Sequence, residues 1–331
     1  VRIMAYTTID DPSAYFQSLL YTGNSSTQSV TFDGNSDLQP DWVWTKCRSN
    51  ASDHFLHDSN RGVHKNIHTN AQDAETNNSN GLTAFNSDGF SMGNVGGMNF
   101  NNQTYVGWGW KCNGGTTSSN TSGDINSTVQ ANTTAGFSIV TYNGNGSSNQ
   151  TVAHGLGATP DFLLWKNYDT DTSGWDWKTW HTGLTGTNYV RINQTGAQAS
   201  SNGDIDALPS STLFTVGNNG STNGQSGQNH TIICYAFTSI QGYSKFGSYT
   251  GNANADGPFV YTGFAPAWVM VKNTASAIGW VIQDNTRSST NPRNKRLFAN
   301  ITDAEATDTD FDFLSNGFKL RNSGNTPNKS G

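Results

Sequence analysis

One block of residues is written three times along the 331-residue chain. Its head is Tyr-x-Gly-Asn. A Pro follows the Tyr after 17 to 19 residues and opens a hydrophobic run that closes on Lys six positions later. The copies are Tyr21–Asn24 with Pro40-Asp-Trp-Val-Trp-Thr-Lys46, Tyr142–Asn145 with Pro160-Asp-Phe-Leu-Leu-Trp-Lys166, and Tyr249–Asn252 with Pro266-Ala-Trp-Val-Met-Val-Lys272. A period near a hundred residues is longer than that of solenoid repeats, so each copy is expected to be a small folded unit. A triplicated scaffold multiplies surface, and it rarely builds one catalytic pocket.

Charged residues make up only 13% of the chain while aromatics reach 11%, which is the opposite of the disordered signature. Short aromatic and β-branched runs separated by Gly, Asn and Ser read as strands joined by turns. The expected fold is therefore all-β, with three tandem β-sandwich-like modules of jelly-roll or lectin-like type. The expected organisation is a lead-in arm over 1–20, module one over 21–115, a Ser/Thr/Asn/Gly linker over 116–134, module two over 135–240 and module three over 241–331.

In each copy a strand is expected from the residue after Pro to Lys, and in copy one the run Trp42-Val-Trp-Thr-Lys46 is nearly continuous in hydrophobicity, which predicts a central strand covered on both faces. A strand is also expected ahead of each Tyr-x-Gly-Asn, at Leu19–Tyr21, Phe137–Tyr142 and Phe246–Tyr249. Later strands open at Ser87-Asp-Gly-Phe90, Ser211-Thr-Leu-Phe214 and Ser315-Asn-Gly-Phe318, and their patterns end at Asn94, Asn218 and Asn322. Copies one and two close with Tyr105-Val-Gly-Trp-Gly-Trp110 and Ile232-Ile-Cys-Tyr-Ala-Phe237. The corresponding strand of copy three is expected beyond Gly331, by truncation of the chain or by supply from another chain.

The net charge of −6 offers no basic footprint for nucleic acid or anionic lipid. No apolar stretch approaches the ~20 residues of a membrane helix. Nucleic-acid binding and membrane insertion are thus not expected. The three cysteines, Cys47, Cys112 and Cys234, cannot form a closed disulfide set and read as reduced core residues.

The opening Met4-Ala-Tyr-Thr-Thr-Ile9, the three blocks, Ser87-Asp-Gly-Phe90 and Gln241-Gly-Tyr-Ser-Lys-Phe-Gly-Ser-Tyr-Thr-Gly-Asn252 together resemble tail-fibre-like virion structural proteins of marine bacteriophages. The hosts of these phages are cyanobacteria and other ocean bacteria. The resemblance spans nearly the whole chain and implies a non-enzymatic virion component made in the host cytoplasm. That component would be a tail fibre or another surface-exposed part that mediates host attachment. A capsid-decorating or connector-attached adaptor and a carbohydrate-binding adhesin module are the alternatives. The expected partners are other virion proteins, further copies of the chain in a homo-oligomer and host surface polysaccharide. Relatives end a copy with a Tyr-Ile-Tyr-Met-Ala-Phe-like strand, which copy three lacks.

Constellations able to carry chemistry are few. His54, His57, His64 and His68 have spacings that would suit a metal only if both pairs converged, and copies two and three do not repeat them. Asp308, Asp310 and Asp312 alternate on one face of a predicted strand and suit either calcium or a solvated sheet face. Asp58 with Glu75 and Asp284 with Glu305 recur as carboxylate pairs, but copy two has no clear equivalent, so a fold role such as turn capping is the simpler reading. No catalytic residue, metal or cofactor is therefore assigned. Trp175, Trp177 and Trp180 lie in a Gly-interrupted stretch peculiar to copy two. They form the candidate binding patch, for stacking on sugar rings or on a partner protein.

Overall fold

The computed structural model describes residues 7–169, 174–225, 227, 230–324 and 326–330. These residues form antiparallel sheets almost throughout, as the repeat pattern predicts. In the first repeat the strands are β1 (Phe16–Thr22), β2 (Gln28–Val30), β3 (Trp42–Cys47), β4 (His54–Asp58), β5 (Lys65–His68), β6 (Thr76–Asn77), β7 (Leu82–Phe85), β8 (Phe90–Met92) and β9 (Thr104–Trp110), with a one-turn helix α1 (Gly96–Asn99) before β9. They make a large sheet in the order β1-β9-β3-β4-β5-β6 and a small one in the order β2-β8-β7.

The second repeat contains β10 (Ser118–Asn120), β11 (Ser127–Asn132), β12 (Phe137–Gly144), β13 (Gln150–Ala153), β14 (Phe162–Asn167), β15 (Lys178–His181), β16 (Ile205–Ala207), β17 (Leu213–Val216) and β18 (His230–Phe237). Its sheets run β10-β11-β12-β18-β14-β15 and β13-β17-β16. Two expected boundaries change. Residues 116–134 are not a linker, because β10 and β11 lie there and β11 pairs along its whole length with β12. Residues 1–20 are not wholly an arm either, since β1 begins at Phe16 and pairs with β9. The 116–134 segment reads as a connector because it is rich in Thr, Ser, Asn and Gly, yet a ladder needs only backbone groups and the correct alternation.

The third repeat contributes β19 (Phe259–Tyr261), β20 (Trp268–Val271), β21 (Val281–Asp284), β22 (Arg293–Phe298), β23 (Ala306–Leu314) and β24 (Gly317–Leu320), ordered β19-β24-β23-β22-β21-β20. The expected strand at Phe246–Tyr249 is not formed. Its counterparts β1 and β12 each pair with a closing strand, β9 or β18, and among the described residues the third repeat has no such strand to pair with.

Alternation along each central strand feeds two cores. Val43 of β3 points into the core between the two sheets of its own repeat, with Val30, Leu82, Phe90 and Met92. Trp42 and Trp44 point the other way, into a core shared by all three repeats. Phe162 and Leu164 of β14 and Trp280 and Ile282 of the third repeat enter the same shared core. All six residues of β3 are buried, which bears out the two-faced burial expected of that strand, and all six of β14 are buried as well.

The head motif is explained by a distant Asn. The Asn99 side chain accepts from Asn24 N at 2.9 Å and donates to Ser26 O at 2.6 Å and Gly93 O at 2.8 Å. Asn223 does the same with Asn145, Ser147 and Gly217, and Asn328 with Asn252, Asn254 and Asn322. The motif Tyr completes the clamp: Tyr21 Oη donates to Met98 O at 2.9 Å, Tyr142 Oη to Thr222 O at 2.5 Å, and Tyr249 Oη to Pro327 O. Gly is required because a Cβ on Gly23, Gly144 or Gly251 would lie 2.2, 2.2 or 2.3 Å from a backbone carbonyl oxygen of the clamp.

Candidate functional site

The three repeats close on one another in a cycle, and equivalent residues make equivalent bonds at each interface. The Lys that ends each central strand reaches a neighbour's loop. Lys46 donates to Thr302 O at 2.9 Å, Lys166 to Gln72 O at 2.9 Å and Lys272 to Thr195 O at 3.0 Å. Burial lowers all three ammonium groups to a pKa of about 8. Next comes a ring nitrogen aimed at a neighbouring carbonyl. His54 Nε2 lies 2.9 Å from Phe298 O, Trp177 Nε1 donates to His68 O at 2.9 Å and Trp280 Nε1 to Arg191 O at 2.8 Å. Backbone bonds repeat as well: Glu75 N to Tyr168 O, Gln198 N to Thr274 O and Glu305 N to Arg48 O.

These bonds decide the fate of the candidate tryptophans. Trp177 is fully buried in the shared core, and Trp180 is buried in the core of its own repeat, donating to Gly186 O at 2.9 Å. Trp175 is half-buried, with its indole against Gly220 and edge-on to His230. The expected aromatic patch therefore does not exist as a surface. A three-residue insertion in copy two hid the signal that could have revealed it. Trp177-x-x-x-His181 corresponds to His54-x-x-x-Asp58 and Trp280-x-x-x-Asp284, and those positions are framework in every copy.

The carboxylate pairs are locked by arginines. Arg61 Nε meets Asp58 Oδ2 at 2.6 Å and its Nη1 meets Glu75 Oε2 at 3.0 Å. Arg287 repeats this with Asp284 at 2.5 Å and Glu305 at 3.3 Å. Each Asp also caps its turn by accepting the Arg backbone N–H, at 2.9 Å in the first repeat and 2.7 Å in the third, as the capping reading expected. A neighbour adds a further donor: Tyr235 Oη to Asp58 at 2.7 Å and Trp108 Nε1 to Asp284 at 3.1 Å. Carboxylates buried and ion-paired in this way serve the framework, as the capping reading expects.

The histidines are dispersed rather than convergent. His54 and His57 fall on opposite faces of β4, because a spacing of three is odd on a strand. His54 accepts from Trp44 Nε1 at 2.9 Å, while neither ring nitrogen of the fully buried His57 has a hydrogen-bond partner among the described residues. Burial first, and then the nearby Lys46 or Arg61 charge, hold both imidazoles well below their usual pKa of 6.5. Among the described residues no group of three or more His, Cys, Asp or Glu is placed to hold a metal ion. Asp308 and Asp310 are engaged by Arg296, and Asp312 by Arg321 at 2.7 Å. The three cysteines are free and buried.

A groove of about 860 Å³ opens beside β20 and is walled by all three repeats, with Phe246, Trp268 and Met270 of the third, Leu184 and His181 of the second and Phe16 and Trp110 of the first. Exposed aromatic rings also occur on β19, where Phe259 and Tyr261 alternate onto one face at 44% and 62% exposure. No helix among the described residues is long and apolar enough to cross a membrane. No curated protein and no solved structure matches the chain. A family model described as a domain of unknown function, DUF7483, matches residues 11–331, and the chain belongs to that family.

Proposed function

We propose that this chain is a non-enzymatic structural protein of a bacteriophage particle, exposed on the tail or the particle surface and taking part in host attachment. The observation that carries the reading is the use of the recurring polar residues. Lys46 and His54 bond a neighbouring repeat, Asp58 and Asp284 accept from a neighbour's ring donor, and Arg61 with Glu75 and Arg287 with Glu305 hold those carboxylates in place. Residues spent on a closed ring leave the loops and edges for contact, and weak contacts become effective when several copies are displayed together. The sequence resemblance to tail-fibre-like virion proteins points the same way. The test is to purify the phage that encodes this chain and label intact particles with antibody raised against it. Labelling on the tail or particle surface is expected, and absence of the chain from purified particles would refute the proposal.

The exposed Phe259 and Tyr261 favour a second, narrower reading as a carbohydrate-binding module, since flat rings on one strand face can stack on sugars. Under that reading Tyr261→Ala abolishes retention on host polysaccharide while the fold is preserved. Unchanged retention removes it.

A further inference from the structure

We propose that the groove beside β20 is the seat of the third repeat's own closing strand, a segment of the same polypeptide following Asn328. The first two repeats show what such a seat looks like when filled. β9 lies between β1 and β3, and β18 lies between β12 and β14, antiparallel on both sides. In the third repeat β20 pairs, among the described residues, only with β21, and its other edge faces the groove across from Phe246–Thr250, the counterpart of β1 and β12.

The register of the missing strand can be read from the filled copies. Opposite Trp42 and Phe162 stand Trp110 and Phe237, so an aromatic belongs opposite Trp268. Opposite Trp44 and Leu164 stand Trp108 and Tyr235, so an aromatic donor belongs opposite Met270. Small residues, Gly109 and Ala236, separate the two. The cycle also fixes which neighbouring group that residue faces. Tyr235 and Trp108 each bond a neighbour's Asp, Asp58 or Asp284, opposite the first residue of that neighbour's central strand. The residue in that place in the second repeat is His181, opposite Phe162, and it lines the groove.

The position of the clamp favours a strand in the same chain. The Asn328 clamp brings Pro327 and Lys329 to the groove wall, and β9 and β18 begin five and seven residues after their own clamp residues, Asn99 and Asn223.

The test extends the 331-residue chain after Gly331 with a copy of Gln103–Trp110, which reproduces the first repeat's spacing. A control extension of the same length carries Pro at two ladder positions, where it cannot donate. Expected in the first protein, and not in the control, are amide exchange at Trp268–Val271 slowed about tenfold or more and a raised melting temperature, with the protein remaining monomeric in sedimentation. Equal exchange in both proteins overturns the proposal. So does protection that appears only together with dimerisation, because the seat would then receive a strand from a second copy.

Discussion

The same strand is built three times with two outcomes. β3 and β14 are buried at every position, whereas only Val269 of the four residues in β20 is buried. The residue types hardly differ: Trp-Val-Trp-Thr, Phe-Leu-Leu-Trp and Trp-Val-Met-Val. What differs is the neighbour, since a closing strand covers one edge of β3 and of β14 and none of the described residues covers the corresponding edge of β20. The comparison teaches that burial of these strands comes from the ladder that seals their edges as much as from their own hydrophobicity. It also makes the third repeat the locus of greatest local instability.

The largest expected effect separates two tryptophans at equivalent positions. Trp42→Ala removes a ring packed against Trp110, Phe137 and Tyr235 and is expected to cost about 3–5 kcal/mol in denaturant unfolding. Trp268→Ala, at a half-buried ring beside the groove, is expected to cost about half as much or less. Equal costs would mean that the groove is not an open edge in solution. Trp177→Ala should behave like Trp42→Ala, with a similar loss of about 3–5 kcal/mol. A selective loss of ligand binding with unchanged stability would restore the surface role that burial denies it.

Asp58→Ala leaves the buried Arg61 guanidinium and the Tyr235 hydroxyl without their shared acceptor, and about 3–5 kcal/mol is expected from the orphaned charge. Asp58→Ala combined with Arg61→Met should recover much of that loss, because the pair then leaves no charge buried alone. Failure of the double variant to recover would point to the Glu75 contact as the larger part.

Next in size is the clamp. Asn99→Ala and Asn223→Ala each strand several backbone groups and are expected to cost about 2–3 kcal/mol. Hydrogen exchange sharpens the comparison, because Asn328→Ala should accelerate amides mainly within the third repeat, while Asn99→Ala acts globally.

The last effect is a graded one, set by pH. All seven histidines lie in the first two repeats. His54 and His57 are held neutral by burial, so their folded pKa values lie below 6.5. Above pH 6.5 both folded and unfolded chains carry neutral imidazoles and nothing changes. Below it the unfolded chain takes up protons that the folded one refuses, and each such group removes about 1.4 kcal/mol of stability per pH unit until its folded pKa is reached. Urea midpoints measured from pH 7 to pH 5 should fall accordingly. His57→Leu, which removes an imidazole without hydrogen-bond partners, should flatten the slope.

Much of the architecture was legible in the residues. The Pro-to-Lys runs marked a strand in every repeat, and the unbroken hydrophobicity of Trp42–Lys46 announced cover on both faces of β3. Phe90, Phe214 and Phe318 marked strands that do carry core side chains. The Tyr-x-Gly-Asn motif was visible as a recurrence, but its partner was not. Asn24 and Asn99 lie 75 residues apart, and Asn94, Asn218 and Asn322 drew attention in place of the true clamp. In the same way Trp175, Trp177 and Trp180 looked like an exposed series because a Gly-broken stretch carries no sign of what packs over it.

By itself, then, the amino-acid order determined the number of repeats, the β class and the face each strand residue takes, all of which follow from local alternation and turn chemistry. Which polar groups meet was decided only in three dimensions. Tyr235 reaches Asp58 across 177 residues, and Lys46 reaches Thr302 across 256. A periodicity states which way a side chain points. What stands opposite it depends on how three sheets close around one core, and no local pattern encodes that closure.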